Sequence, residues 1–176
     1  SQSGTFGWQI ADARPKLVKA IVAIEPGAVY ADIEGKGPPD WYDYSIDRRP
    51  WGLGALPLAY DPPVSKPSEL RFVQEDKPQR PELARVFMQA APARQLKNLK
   101  GLPIVVVTGE ASFHKPYDHG TVQFLNQAGA KATHIPLEDV GLRGNGHMMM
   151  LEKNNQEIAA VIDGWIGKTL PPRPRR

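Results

Sequence analysis

The chain has 176 residues, of which 41% are hydrophobic and 23% charged, a composition typical of one globular domain. The formal net charge is +3, and three of the last four residues are arginines. The rest of the chain is therefore close to neutral, and we expect no nucleic-acid-binding face. The absence of cysteine excludes disulfides and thiolate metal sites. No apolar run approaches the roughly 20 residues that span a bilayer, so we expect no membrane partner.

Short apolar runs alternate with amphipathic stretches along the chain. Three runs predict strands, at residues 19–24, 102–108 and 131–136. Helical periodicity predicts three helices, at residues 1–13, 117–128 and 155–170. In the first of these, Phe6, Ile10 and Ala13 have helical spacing. Alternating strands and helices predict an α/β fold with a parallel sheet and crossover helices.

Residues 28–92 interrupt this alternation and contain ten of the 18 prolines together with many aromatic residues. A segment of this length is either a covering layer that packs its own aromatics or a lid over a pocket. We expect a helix within residues 81–99, with one side formed by Leu83, Val86, Phe87 and Ala90. The predicted organisation is a helix and strand at 1–27, a cap insertion at 28–92, a C-terminal core at 93–170 and a basic disordered tail at 171–176.

Three residues fall where a parallel sheet keeps its reactive groups, at the carboxyl ends of strands. Ser1, with small neighbours and a helix after it, matches the second half of a Gly-x-Ser-x-Gly nucleophile elbow. Glu25 ends the first strand, and His147 lies in a Gly-rich loop before the last helix. Each has a structural alternative: a helix cap, a solvated acid and a packed histidine.

The order serine, acid, histidine along the chain is that of the α/β-hydrolases and assigns a role to each residue. Ser1 Oγ would attack a carbonyl carbon, and His147 would accept and return the proton. The Glu25 carboxylate would hold the imidazole in the required tautomer. The backbone N–H of Gln2, the residue after the nucleophile, would supply one oxyanion-hole donor.

Three motifs carry a more specific resemblance. Ser1-Gln2-Ser3-Gly4, residues 23–27 (Ala-Ile-Glu-Pro-Gly) and residues 144–150 (Gly-Asn-Gly-His-Met-Met-Met) resemble a small esterase branch of the α/β-hydrolases. In that branch the triad acid is a glutamate after the sixth strand. The resemblance implies Ser1 as nucleophile, Glu25 as acid and His147 as base, with a small ester as substrate and no cofactor. It slightly favours a secreted or periplasmic protein.

Another acid and a group of histidines offer alternatives. In the commoner hydrolase pattern the acid follows the next strand, where Ser112 stands at the usual aspartate position, and Glu110 is the runner-up acid. His114, Asp118 and His119 have a spacing that a metal site can use, but no further ligands follow at fixed spacing, so we predict no metal.

A nucleophile at Ser1 leaves the strand before the elbow and the second oxyanion donor to another polypeptide segment. We therefore expect an N-terminal partner chain from the same precursor, separated by cleavage before Ser1, to complete the sheet. The start of the chain has neither the basic leader nor the apolar segment of a signal peptide. Ester hydrolysis is the predicted reaction. Amidase, lactonase or acyltransferase activity, a non-catalytic binding role, and self-association of the two-chain unit stay open.

Overall fold

The computed structural model describes residues 2–29, 31–32, 53–65 and 69–170. The helices are α1 (Gln2–Ala13), α2 (Asp118–Gln127) and α3 (Asn155–Thr169). The strands, in chain order, are β1 (Ile21–Ile24), β2 (Ala31–Asp32), β3 (Tyr60–Asp61), β4 (Phe72–Gln74), β5 (Arg85–Gln89), β6 (Gln95–Leu96), β7 (Pro103–Thr108) and β8 (Lys131–Pro136).

The main sheet has the order β1-β7-β8, and both of its pairings are parallel. Ile21 of β1 lies opposite Ile104 of β7, which lies opposite Ala132 of β8. Helix α2 connects β7 to β8, and it ends before Gly129, whose φ of +89° is the left-handed conformation that glycine adopts most readily. The predicted α/β fold with a parallel sheet and crossover helices is confirmed.

Strand β7 is the centre of the molecule, because its side chains are buried on both faces of the sheet. Ile104 and Val106 belong to one core, which also contains side chains of α1 and α2. Val105 and Val107 belong to a second core, which contains side chains of α3. The chain therefore forms helical layers on both sides of a parallel sheet, as a continuous apolar central strand requires.

Helix α1 is confirmed, but the apolar spacing that predicted it does not mark its buried face. Phe6 and Ile10 are 52% and 57% exposed, whereas Trp8 and Ala11 are buried. The buried face also includes Gly4, which brings the helix close to the chain after β1. A face of small residues around one tryptophan allows this close approach, which larger side chains would prevent.

The predicted helix within residues 81–99 is wrong. This segment forms β5 and β6, and β5 pairs antiparallel with both β2 and β4. A short run such as Val86 to Met88 fits either structure by periodicity alone. Here residues 31–32 and 72–74 pair with this segment as neighbouring strands. That pairing cannot be predicted from the residues of the segment alone.

The described part of residues 28–92 contributes to the core of the domain. Leu53, Leu56 and Leu58 pack in the same core as the α1 and α2 side chains. Residues 33–52, which contain several of the aromatic residues of the predicted cap, lie outside the described residues, and the cap stays a prediction. The predicted tail at 171–176 also lies outside them. Within the described ranges, no helix is long and apolar enough to cross a membrane.

Candidate active site

Glu25 lies at the carboxyl end of β1, where its own N–H donates to the Val107 carbonyl and extends the ladder by one bond (3.0 Å). Its φ of 45° lies in the left-handed region, which non-glycine residues rarely adopt. This conformation turns the chain directly into Pro26-Gly27 at the edge of the sheet. Such strain is retained where the surrounding structure holds the residue in place.

The loop that carries His147 is held by hydrogen bonds to side chains of the loop itself and of the segment just before α3. Asn145, which is 2% exposed, and Asn154 exchange amide hydrogen bonds of 2.7 and 3.2 Å. The Gly146 N–H donates to Glu152 at 3.0 Å. Met149 is buried in the core beside α3. These contacts fix the backbone on both sides of the histidine.

The two loops bring Glu25 and His147 together. His147 Nδ1 lies 2.5 Å from Glu25 Oε2, with the carboxylate fully buried and the histidine side chain 22% exposed. An ionised carboxylate only accepts hydrogen bonds, so Nδ1 is the donor. In the neutral ring this leaves the lone pair on Nε2, the nitrogen that a general base needs to be free.

Glu25 has further donors besides His147. The Gly109 N–H donates to Oε1 at 2.8 Å, and the Ser112 hydroxyl donates to Oε2 at 2.7 Å. A buried carboxylate is expensive unless hydrogen bonds replace its hydration. Ser112 stands at the usual aspartate position of the commoner hydrolase pattern, and its hydroxyl orients the glutamate at the end of the neighbouring strand.

Glu110, the runner-up acid, binds partners other than His147. Its carboxylate accepts from Arg143 at 2.7 Å and from the Gly144 N–H at 3.0 Å. The Gly144 hydrogen bond, helped by the charge of Arg143, lowers the pKa of Glu110 against an opposing effect of partial desolvation. Glu110 therefore ties the histidine loop to the end of β7, and it is not hydrogen-bonded to the imidazole.

The nucleophile position falls outside the described residues. Ser1 is not among them, and the neighbouring Gln2 is described only as the first residue of α1. The start of α1 nevertheless packs against the turn that follows Glu25, since a Cβ placed on Gly4 would lie 2.6 Å from Pro26 Cβ. The first turn of this helix and the Glu25 turn are in direct contact.

His114, whose spacing with Asp118 and His119 indicated only a possible metal site, lies against His147. Its ring lies parallel to that of His147, with centroids 4.8 Å apart and 4° between the planes. Phe113 packs against both rings, at 4.6 and 4.8 Å. No sequence pattern could predict this stacking. It depends on how the distant loop that carries His147 packs against the residues after β7.

Potential ligand atoms of Glu25, His114 and His147 lie within 4.8 Å of one another in the described part of the chain. An imidazole binds a metal through a lone pair in its own plane. Two parallel, stacked rings cannot direct both lone pairs at one ion, and the Glu25 contact occupies His147 Nδ1. The geometry therefore suits an acid–base pair better than a metal site. His119 lies apart from these three residues, buried on α2.

Comparisons with known proteins agree with this fold. No family model matches the chain. The chain is 41% identical over 173 residues to "Probable secreted lipase phiG" from Fungal sp. (strain ATCC 74256), covering 96% of this chain and 44% of that protein. A solved structure of a novel bacterial esterase matches with a TM-score of 0.52 and 24% identity, covering 96% of this chain and 36% of the esterase. The chain thus spans less than half the length of either protein, has the mixed α/β fold of this esterase, and aligns along nearly its whole length with part of a probable lipase.

Proposed function

We propose that this chain is part of a serine hydrolase that cleaves carboxylic esters, with Ser1 as nucleophile, His147 as general base and Glu25 as triad acid. The observation that carries the proposal is the hydrogen bond from His147 Nδ1 to the buried Glu25 carboxylate. A histidine oriented in this way, with Nδ1 hydrogen-bonded to the acid, Nε2 left to accept a proton and its side chain partly exposed, is equipped to move a proton. The names of the lipase and the esterase support an ester as substrate.

The chemistry follows from the roles of the three groups. Ser1 Oγ forms a bond to the ester carbonyl carbon while its proton passes to His147 Nε2. The tetrahedral oxyanion collapses, and the alcohol leaves with the proton from Nε2, so that an acyl group remains on Ser1. Water then repeats both steps and releases the carboxylic acid. Glu25 stays ionised and stabilises the imidazolium each time it forms.

The choice of acid rests on the contacts of two carboxylates. Glu25 accepts from His147, whereas both oxygens of Glu110 bind partners in the 143–144 segment. This arrangement supports the esterase branch with a glutamate after an earlier strand, as the resemblance implied. The Ser112 hydroxyl, which donates to Glu25, takes part in holding that acid in place.

The assignment of Ser1 and Gln2 rests on their position at the start of α1, whose first residue is Gln2. The contact between Gly4 and Pro26 brings the first turn of this helix against the turn that carries Glu25. A nucleophile elbow places its serine just before such a helix. The backbone N–H of Gln2 is then the proposed oxyanion donor, because the helix dipole and the free amides of the first turn favour negative charge there.

We further propose that an N-terminal portion of the same polypeptide completes the sheet. Within the described residues, β1 pairs with β7 along one side and has no partner strand on the other. The two matched proteins are more than twice as long as the aligned region. Strands from that portion would cover the open edge of β1 and supply the second oxyanion donor.

The test is covalent labelling of the full-length protein with a fluorophosphonate probe, followed by peptide mapping. We expect the label on Ser1, no label in Ser1→Ala, and hydrolysis of short-chain nitrophenyl esters that His147→Ala abolishes. Ser3→Ala is the matched control, since it removes a nearby hydroxyl and should keep both labelling and turnover. Label on a different residue, or full turnover in Ser1→Ala, would overturn the proposal.

A further inference from the structure

A second histidine and carboxylate lie directly behind the first pair. His114 is 1% exposed and Asp118 is fully buried. His114 Nδ1 lies 3.0 Å from Asp118 Oδ1, four residues later along the chain. The proposed reaction uses neither residue. Burial of two titratable side chains is costly, and perturbed buried groups of this kind cluster at functional sites.

His114 contacts the proposed base directly and is linked to the proposed acid through Ser112. One face of its ring is parallel to the His147 ring, at a centroid separation of 4.8 Å. Its backbone N–H donates to Ser112 Oγ at 3.1 Å, and the same hydroxyl donates to Glu25. A displacement of His114 would therefore move the base directly and the acid through one intermediate hydroxyl.

The anchor of His114 extends into the central sheet. Asp118 Oδ2 accepts from the Thr108 hydroxyl at 2.8 Å, at the end of β7. Thr108 Oγ1 also lies 2.9 Å from His134 Nε2 on β8. A hydroxyl has one proton to donate, so the neutral His134 ring is the donor in the second contact. The ring of His114 is thus connected to two strands of the parallel sheet.

We propose that His114 is a positioning residue for His147: held by Asp118, its ring face keeps the base ring aligned with the Glu25 carboxylate. This inference rests on the proposed role of His147 as base. The base is on a loop and partly exposed, and its ring would otherwise rotate while the proton moves on and off Nε2. Misalignment of a catalytic group by about 1 Å can cost a hundredfold in rate.

The charges around His114 are compatible with this role. The carboxylates that face it are Glu25 from the end of β1 and Asp118 from α2, and the facing imidazole is His147. Burial lowers the pKa of His114 to about 3, with Glu25 opposing the shift and His147 adding to it. His114 is therefore uncharged at neutral pH and does not repel the imidazolium of His147.

Two substitutions of His114 distinguish the effect of its ring face from the effect of its hydrogen bond to Asp118. His114→Asn keeps an amide near Nδ1 for Asp118 but removes the face that covers His147. His114→Phe keeps a flat ring and removes the hydrogen bond. If the face does the positioning, His114→Asn lowers kcat per titrated active site by about tenfold with KM within about twofold, and His114→Phe recovers most of that loss. His119→Asn is the matched control, because His119 is a buried histidine of the same segment without a ring contact to His147.

A second readout needs no turnover. The experiment uses the full-length protein with isotope-labelled histidine. The 176 residues of this chain contain four histidines, and single substitutions assign their NMR signals. We expect a downfield Nδ1 proton for His147 that His114→Asn broadens or removes, because the imidazole is no longer held in line with the Glu25 carboxylate. His114→Phe and His119→Asn should leave that proton in place.

An unchanged His147 proton and an unchanged kcat per active site in His114→Asn would overturn the proposal. Equal losses in His119→Asn would also do so, since they would indicate a general effect on α2. If His114→Asn does not fold, His114→Leu decides, because it also removes the flat ring face and should move the His147 signal in the same direction, whereas His114→Phe should not. The NMR result stands apart from ester turnover, so a failure of positioning can be told from a failure of the proposed reaction.

Discussion

Nδ1 of His147 lies 2.5 Å from Oε2 of Glu25, although 122 positions separate the two residues in the chain. Glu25 ends β1, and the His147 loop follows β8. The two strands flank β7 in one parallel sheet, so their carboxyl ends meet at the same edge. Any change that moves either loop at this edge should therefore weaken the pair.

Removing the charge of Glu25 should abolish most of the activity. Glu25→Gln keeps the shape of the side chain but no longer orients the histidine or stabilises its positive charge. We expect kcat to fall about a thousandfold to ten-thousandfold, as for the loss of the acid in other triads. Glu110→Gln is the matched control and should retain activity within about threefold, because its partners are Arg143 and Gly144. Steady-state hydrolysis of a nitrophenyl ester measures both, and a greater loss in Glu110→Gln would reverse the assignment of the acid.

Removing the Ser112 hydroxyl should weaken both the site and the fold. Ser112→Ala leaves Glu25 with one donor fewer and leaves the buried N–H of His114 without its acceptor. We expect the free energy of unfolding to decrease by about 1–3 kcal/mol, which is the usual cost of an unsatisfied buried group. Urea denaturation measures the change. The same substitution at Ser65, an exposed serine, should alter stability by less than about 0.5 kcal/mol, and equal effects at the two sites would contradict the importance of the Ser112 contacts.

Adding one methyl group at Gly109 should separate the acid from the histidine loop. A Cβ there would overlap the backbone oxygen of Asn145 and lie 3.3 Å from Glu25 Oε1. We expect Gly109→Ala to lower ester turnover by at least about a hundredfold, since the loop that carries His147 must shift. Gly164→Ala in α3 is the control, because nothing lies within 4 Å of its Cβ position. That substitution should keep activity and raise the melting temperature, since alanine is the better helix former by about 1 kcal/mol. Retained activity in Gly109→Ala would mean that the two loops are not tightly packed.

The stability of the fold should rise with pH in the mildly acidic range. Burial, the main cause, lowers the pKa of His134 to about 4 and that of His114 to about 3, both from an ordinary value of 6.5. The unfolded chain therefore binds more protons than the folded chain between about pH 4 and 6.5, and the free energy of unfolding increases with pH across that window. The stabilisation is complete above the unfolded pKa and is lost as the pH falls.

Urea denaturation at several pH values, with His134→Gln as the comparison, checks this slope. The variant has one fewer site that binds a proton on unfolding, so its slope should be smaller than that of the parent. Burial raises the pKa of Asp118, which acts in the opposite direction, but this effect is present in both proteins and cancels in the difference. Identical slopes would show that His134 does not titrate on unfolding.

Much of the parallel sheet could be predicted from sequence, because the evidence for it is local. The apolar runs that end at Ile24, Thr108 and Pro136 became β1, β7 and β8, and the intervening helical pattern became α2. A buried central strand must be apolar throughout, so its pattern is visible without its neighbours. The segment that became β5 was different, since its pairing with β2 and β4 overrode a periodicity that fits a helix equally well.

The sequence by itself determined the fold class and the three residue types that the proposed chemistry needs, because strand ends and Gly-rich loops are local features. Only the tertiary structure decided which acid meets His147, since the choice between Glu25 and Glu110 depends on the direction in which two loops turn after neighbouring strands. It also placed Ser112 under the acid and the His114 ring against the base. Those contacts form between segments distant in the chain, and they exist only where the packing of β1, β7 and β8 brings their carboxyl ends to one edge.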